Sequence, residues 1–105
     1  MARVIVEQVF PEPFTDEAYA AFAKRIDPCL EVRDGAWRRS SVSLDRLRMT
    51  CEFEARDAES VREALRSAGI KYERVWTANV FAVEDYPDML AKLKAVLVKQ
   101  GPTTG

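Results

Sequence analysis

The spacing of apolar side chains changes period repeatedly along this chain, and that succession limits the fold more than any other feature. Arg3 to Phe10 alternates apolar with polar positions and is rich in β-branched residues, a strand signal, until "PEP" at Pro11 to Pro13 stops it. Thr15 is suited to cap a helix whose first turn carries Asp16 and Glu17, with Tyr19, Phe22, Ala23 and Ile26 on one face. Pro28 is expected to kink or break that helix, leaving a short helical piece from Pro28 to Arg33 that ends at Gly35. Ala36 to Leu44 and Leu47 to Ala55 then read as a hairpin around Asp45 and Arg46. Asp57 caps a second helix, in which Val61, Ala64, Leu65 and Ala68 repeat at helical spacing and Gly69 supplies the stop. Tyr72 to Val83 forms a fourth strand. Asp85 to Lys99 forms a last helix, capped by Asp85, with Pro87 in its first turn and Tyr86, Met89, Leu90, Leu93, Val96 and Leu97 along one side.

The order β-α-β-β-α-β is the split βαβ pattern of ferredoxin-like folds, an α+β class with a four-stranded antiparallel sheet and two helices on one face. With 105 residues the chain suits one domain. Residues 1–83 are the ferredoxin-like unit, 84–99 an added helix of the same domain, and 100–105 a disordered tail. The helices leave one sheet face bare. A bare face bearing tryptophans is costly in water, so a homodimer, in the manner of a dimeric α/β barrel, is expected to cover it together with the last helix.

A two-residue turn at Asp45-Arg46 fixes the pairing within the hairpin. Leu44 then faces Leu47, Val42 faces Met49, Ser40 faces Cys51 and Arg38 faces Phe53, all on the side turned to the helices. The other side receives Ser41 with Thr50, Arg39 with Glu52 and Trp37 with Glu54. The polar face is therefore the bare one.

Composition removes several function classes. The chain has no histidine, which excludes His-based triads, His general bases and His zinc sites. Lys and Arg number 16 against 17 Asp and Glu, with no basic run, so a nucleic-acid partner is not expected. No apolar run approaches the ~20 residues that span a bilayer. The N-terminal "MARVIVEQVF" lacks a secretory h-region, so no membrane partner and a cytoplasmic location are expected. Cys29 and Cys51 are too few for a disulfide framework and lack metal-ligand spacing. No nucleotide, haem or phosphate-loop motif is present, and no cofactor is expected.

The segments "VEQVFPEP", "RRSSVSLDR", "CEFEARDAESVREA" and "GIKYERVW" together resemble an uncharacterised family of small bacterial ferredoxin-like proteins, described in part as nickel-binding-like. The resemblance covers roughly Arg3 to Val80. It implies an often dimeric α/β sandwich, and in this chain it touches Glu7, Arg39, Ser40, Cys51, Glu54, Asp57 and Arg62. Nickel sites favour imidazole, and without histidine no metal ligands are assigned. Where the family-like turn has glycine this chain has Arg46; a longer or bulged loop there would shift the pairing by one.

Several residues carry chemistry. Glu7 lies in the first strand, beside a third strand that offers Glu52 and Glu54; clustered carboxylates can raise one pKa or hold a hard cation, whereas Arg-paired ones are structural. Arg39 either pairs with Glu52 across the hairpin or clamps a ligand anion. Trp37 and Trp76 either wall a pocket or fill a dimer seam. Ser41 and Tyr72 offer hydroxyls. The two cysteines read as small core residues or as a thiol pair. The favoured function is a small molecule held over the open face by Arg39, Trp37, Glu52, Trp76, Ser41 and Tyr72. Glu7 and Glu54 would be the acid/base groups for an isomerisation, cyclisation or hydrolysis, if it turns over. A metal-binding protein and a structural dimerisation module are the alternatives.

Overall fold

β1 (Ala2–Val9) is the strand that organises the molecule, because it pairs on both sides. Its alternation places Val4 and Val6, both fully buried, on one face and Arg3, Ile5 and Glu7 on the other. The computed structural model describes residues 1–85 and 88–100. Its remaining strands are β2 (Ala36–Val42), β3 (Arg48–Ala55) and β4 (Arg74–Ala78), ordered β2-β3-β1-β4 with every pairing antiparallel. That is the expected ferredoxin-like arrangement.

α1 (Asp16–Glu31) starts as its sequence requires: Thr15 Oγ1 accepts from the Ala18 amide at 3.0 Å. α2 (Ala58–Ser67) starts on Asp57, whose Oδ1 accepts from the Ser60 amide at 2.7 Å, and gives way to Gly69 at φ +69°. Both helices cover the same sheet face. Phe22, Ile26 and Leu30 of α1 and Val61, Ala64 and Leu65 of α2 meet Val4, Val6, Met49, Cys51, Phe53 and Val75 in one core. Each large side chain buried there contributes about 1.5–3 kcal/mol.

Pro28 does not break α1, contrary to expectation; the helix runs through it to Glu31. Both Pro28 and Lys24, whose carbonyl loses its donor, are exposed, so water can satisfy that carbonyl. The helix then ends with Asp34 at φ 57° and the Gly35 amide bonded back to Leu30 O at 2.9 Å.

The hairpin keeps the expected register over its outer half, with Val42 opposite Met49, Ser41 opposite Thr50, Ser40 opposite Cys51 and Arg39 opposite Glu52. Its turn is wider than two residues. The Arg46 amide bonds Ser43 O at 2.9 Å, the Ser43 amide bonds Arg48 O at 3.0 Å, and Arg46 adopts φ 62°. Asp45 Oδ1 steadies the loop by accepting from Ser43 Oγ at 2.6 Å and the Leu47 amide at 3.0 Å.

Beyond Arg39 the regular ladder fails. A bulge between Trp37 and Arg39 brings Trp37 opposite Phe53 and Ala36 opposite Glu54. One extra residue reverses the facing of everything before it, so Trp37 turns to the helices and Arg38 to the polar side. The Trp37 ring centroid lies 5.6 Å from Tyr19, 5.1 Å from Phe22 and 6.4 Å from Phe53, and its Nε1 donates to Ser40 Oγ at 2.8 Å.

β4 is shorter than Tyr72–Val83. Its ladder with β1 ends where Ala78 faces Arg3, one residue from the start of β1, so later residues have no strand to pair with. A single 3-10 turn, Val83–Asp85, follows, and α3 runs Asp88–Gln100. Asp85 belongs to that turn. Tyr86, Pro87 and residues 101–105 lie outside the described residues, and with them the expected first-turn proline and tail. Lys92 Nζ reaches Val80 O at 3.2 Å, while Leu90 is half-buried and Leu93 exposed.

Candidate functional site

The helix-free face of the sheet carries three rows of side chains set by register. Glu54 stands between Arg3 and Ala36, Glu52 between Ile5 and Arg39, and Thr50 between Glu7 and Ser41; on β4, Trp76 lies beside Ile5 and Arg74 beside Glu7. Arg3, on the central strand, ties two rows together: Nη1 meets Glu52 Oε2 at 2.5 Å and Nη2 meets Glu54 Oε1 at 2.9 Å. Arg38, redirected by the bulge, meets Glu54 Oε2 at 2.8 Å, and Arg39 Nε meets Glu52 Oε2 at 3.2 Å. Three guanidinium groups thus serve two carboxylates. The hydrogen bond from Arg38 holds the Glu54 carboxyl below the usual range, against a smaller opposing effect of desolvation, and Glu54 raises Arg38 in return.

Glu7 stands apart from this network. Its Oε2 accepts from Trp76 Nε1 at 2.8 Å, holding the indole across β1 and β4 with 45% of the tryptophan exposed. Glu7 and Glu54 are on one face but lie four positions apart along β1, a separation of roughly 13 Å at strand rise. The structure does not bring Glu7, Glu52 and Glu54 into a shared carboxylate cluster. Among the described residues, no group of three or more Cys, Asp or Glu side chains is placed to hold a metal ion.

Of the remaining sequence-derived residues, Arg39, Glu52 and Ser41 lie on this face as expected. Trp37 does not, because of the bulge, and packs in the aromatic layer under α1. Tyr72 does not either: it precedes β4 and is half-buried against the helix-side core. Cys51 is fully buried on the helix side, accepts from Ser40 Oγ at 3.2 Å and has its thiol pushed up to about 11 by burial. Cys29 is half-buried and both are free thiols. Arg3 and Arg38 were not singled out from sequence. Register arithmetic places Arg3 opposite Glu54 once β1 is paired with β3; Arg38 depends on the bulge.

Hollows among the described residues lie around the rim of this face and elsewhere. One of about 360 Å³ lies at its corner, lined by Arg3, Glu54, Thr77, Asn79, Val80 and Lys92. A larger one, about 560 Å³, lies at the hairpin tip between Phe14, Asp16, Tyr19, Val42, Leu44 and Arg46, where Arg46 Nη1 also pairs with Asp16 Oδ1 at 2.8 Å. None of the candidate site residues lines the larger one. No helix of the described residues is long and apolar enough to cross a membrane.

Comparison with solved structures finds the crystal structure of SCO4226 from Streptomyces coelicolor A3(2), with a TM-score of 0.70 and 14% sequence identity over 77% of this chain and all of that one. At that identity the likeness concerns the fold. Comparison with curated proteins gives no match. A family model described as nickel responsive protein SCO4226-like matches residues 4–77, most of the chain and all four strands except the first two residues of β1 and the last of β4. The chain belongs to the SCO4226-like family.

Proposed function

We propose that this protein is a binding protein that acts as a homodimer through its open sheet face, holding a small, partly apolar ligand between two copies. The observation that carries this reading is the Glu7–Trp76 pair: a carboxylate outside the arginine network, bonded to a large exposed indole, on the face opposite α1 and α2. Trp76 is the wall of the site and Glu7 its hydrogen-bond acceptor. Arg39, 69% exposed at its side chain and engaged through Nε alone, orients an anionic group. Glu52, Glu54, Arg3 and Arg38 neutralise one another and set the face's polarity. Binding has more support than proton transfer, because Arg38 keeps Glu54 ionised and Glu7 stands a strand's half-length away.

The family name favours a metal as the alternative ligand. The residues do not fit a nickel site within one chain: there is no histidine, no cluster of three donors among the described residues, and the Cys51 thiol is buried and protonated at neutral pH.

Light scattering tests the first reading. The wild type is expected to have a dimer mass at micromolar concentration, and Trp76→Glu a monomer mass with unchanged far-ultraviolet circular dichroism. A wild-type monomer throughout that range, or a dimer indifferent to Trp76→Glu, refutes it. Sub-micromolar, stoichiometric nickel binding by calorimetry would put the metal reading first.

A further inference from the structure

On the opposite side of the sheet from Trp76, a cleft of about 380 Å³ opens between the end of β1, α1 and the turn after α2. Its apolar walls include Phe10, Phe14, Phe22 and Ile70, with Phe10 and Phe14 stacked at 4.5 Å and 7°. Ala18 and Ala21, one turn apart on α1, leave the opening unfilled where larger side chains would close it.

Gln8, whose facing inward follows from the alternation of β1, is part of its lining. Gln8 is 5% exposed, and its Nε2 donates to Lys71 O at 3.0 Å, which settles which end of the amide is oxygen. The Oε1 atom has no hydrogen-bond partner and is the buried side-chain polar atom left in that state among the described residues. A buried acceptor without a donor is destabilising, and native folds rarely retain one without a use. The charged residues lining the cleft, Arg25 and Lys71, are both cationic and exposed.

We propose that this cleft is a second ligand site, distinct from the open face, for a small aromatic carboxylate bearing a hydroxyl. The ring lies among the phenylalanines, the hydroxyl donates to Gln8 Oε1, and the carboxylate sits at the rim with Arg25 and Lys71. The volume falls in the range of small-molecule sites, and each of the ligand's three parts answers a feature already present.

Amide NMR spectra of the full chain test this with two probes, para-hydroxyphenylacetate and phenylacetate. The hydroxylated probe is expected to shift the Gln8 side-chain amide and the Gly69 and Lys71 backbone amides saturably. Phenylacetate should bind roughly fivefold or more weakly, the worth of one hydrogen bond. Ala21→Leu fills the opening at an exposed helix position and should abolish both sets of shifts, and Gln8→Met should erase the difference between probes. The wild-type comparison stands without either variant. No saturable shift up to tens of millimolar, equal affinity for both probes, or shifts confined to the Trp76 indole overturns the proposal; the open-face reading fails separately, on dimer mass.

Discussion

Replacing Trp37 by alanine measures directly whether the bulge at the start of β2 is present. With the bulge, Trp37 lies in an aromatic layer, its ring 5.1 Å from Phe22 and 5.6 Å from Tyr19, with Nε1 bonded to Ser40 Oγ. Aromatic pairs contribute about 0.5–1.5 kcal/mol each beyond their burial, and the indole hydrogen bond about 1 kcal/mol. A fully buried Trp→Ala change costs about 3–5 kcal/mol, so the half-buried Trp37 should cost about 2–3. In an unbulged ladder Trp37 would project from the helix-free face, and its loss would cost little in the monomeric fold. Urea unfolding followed by far-ultraviolet circular dichroism separates the cases. With an m-value of roughly 1.5 kcal/mol/M, the midpoint should fall by roughly 1.3–2 M. Trp37→Phe keeps the ring contacts and should recover most of that loss. Arg38→Ala, which truncates an exposed side chain, should barely move the midpoint. A Trp37→Ala cost below about 0.5 kcal/mol, the level of a surface substitution, would refute the bulged placement.

Other outcomes follow from the same geometry. Because burial raises the Cys51 thiol from 9.0 to about 11, the folded state holds its proton where the unfolded state has lost it. Stability should therefore fall as pH rises through that window, and less so in Cys51→Ala; an unchanged slope in urea titrations would contradict it. Glu54 has the opposite sign: its lowered value gives stability present above the unfolded value of 4.5 and lost as pH falls through the folded one, so Glu54→Gln should flatten the acid limb of the stability profile. Asp34 sits at φ 57°, and Asp34→Gly should stabilise the fold by about 1 kcal/mol in thermal or urea melts by removing left-handed strain. Arg46, at φ 62°, should not gain in the same way, since Arg46→Gly also removes its bonds to Asp16 Oδ1 and Phe14 O.

The starts of α1 and α2, the strand order and the core were legible because they rest on local chemistry and on period. Thr15 and Asp57 cap the helices as their side chains dictate, and Val4, Val6, Met49, Cys51 and Phe53 follow the alternation. What escaped was non-local. Pro28 is harmless because of where it falls relative to solvent, which periodicity does not record. The end of β4 is decided by the length of β1, not by its own β-rich sequence. The bulge is the most consequential case, since "AWRRSSV" alternates no better with one register than with the other. Packing decides it: a tryptophan opposite Phe53 fills the layer under Tyr19 and Phe22, and an arginine there would bury a charge.

That single inserted residue also reshapes the candidate site. The unbulged pairing would set two tryptophans over the open face and leave Glu54 facing one of them; the bulge removes Trp37 and supplies Arg38 to Glu54 instead. With Arg3 already shared between Glu52 and Glu54, that part of the face becomes a closed set of ion pairs. Glu54 is then held as a charged partner, its carboxyl kept below the usual range by the hydrogen bond from Arg38, and is not poised to exchange a proton near neutral pH. The chemistry left over is concentrated at the other end of β1, where Glu7 and Trp76 meet, so the open face is divided into a self-neutralised half and a receptive half. In an assembly of two copies about a twofold axis, like halves meet like or each meets the other, and charge favours the second: an Arg39 not fully engaged in one copy would come over the carboxylate of the partner's Glu7.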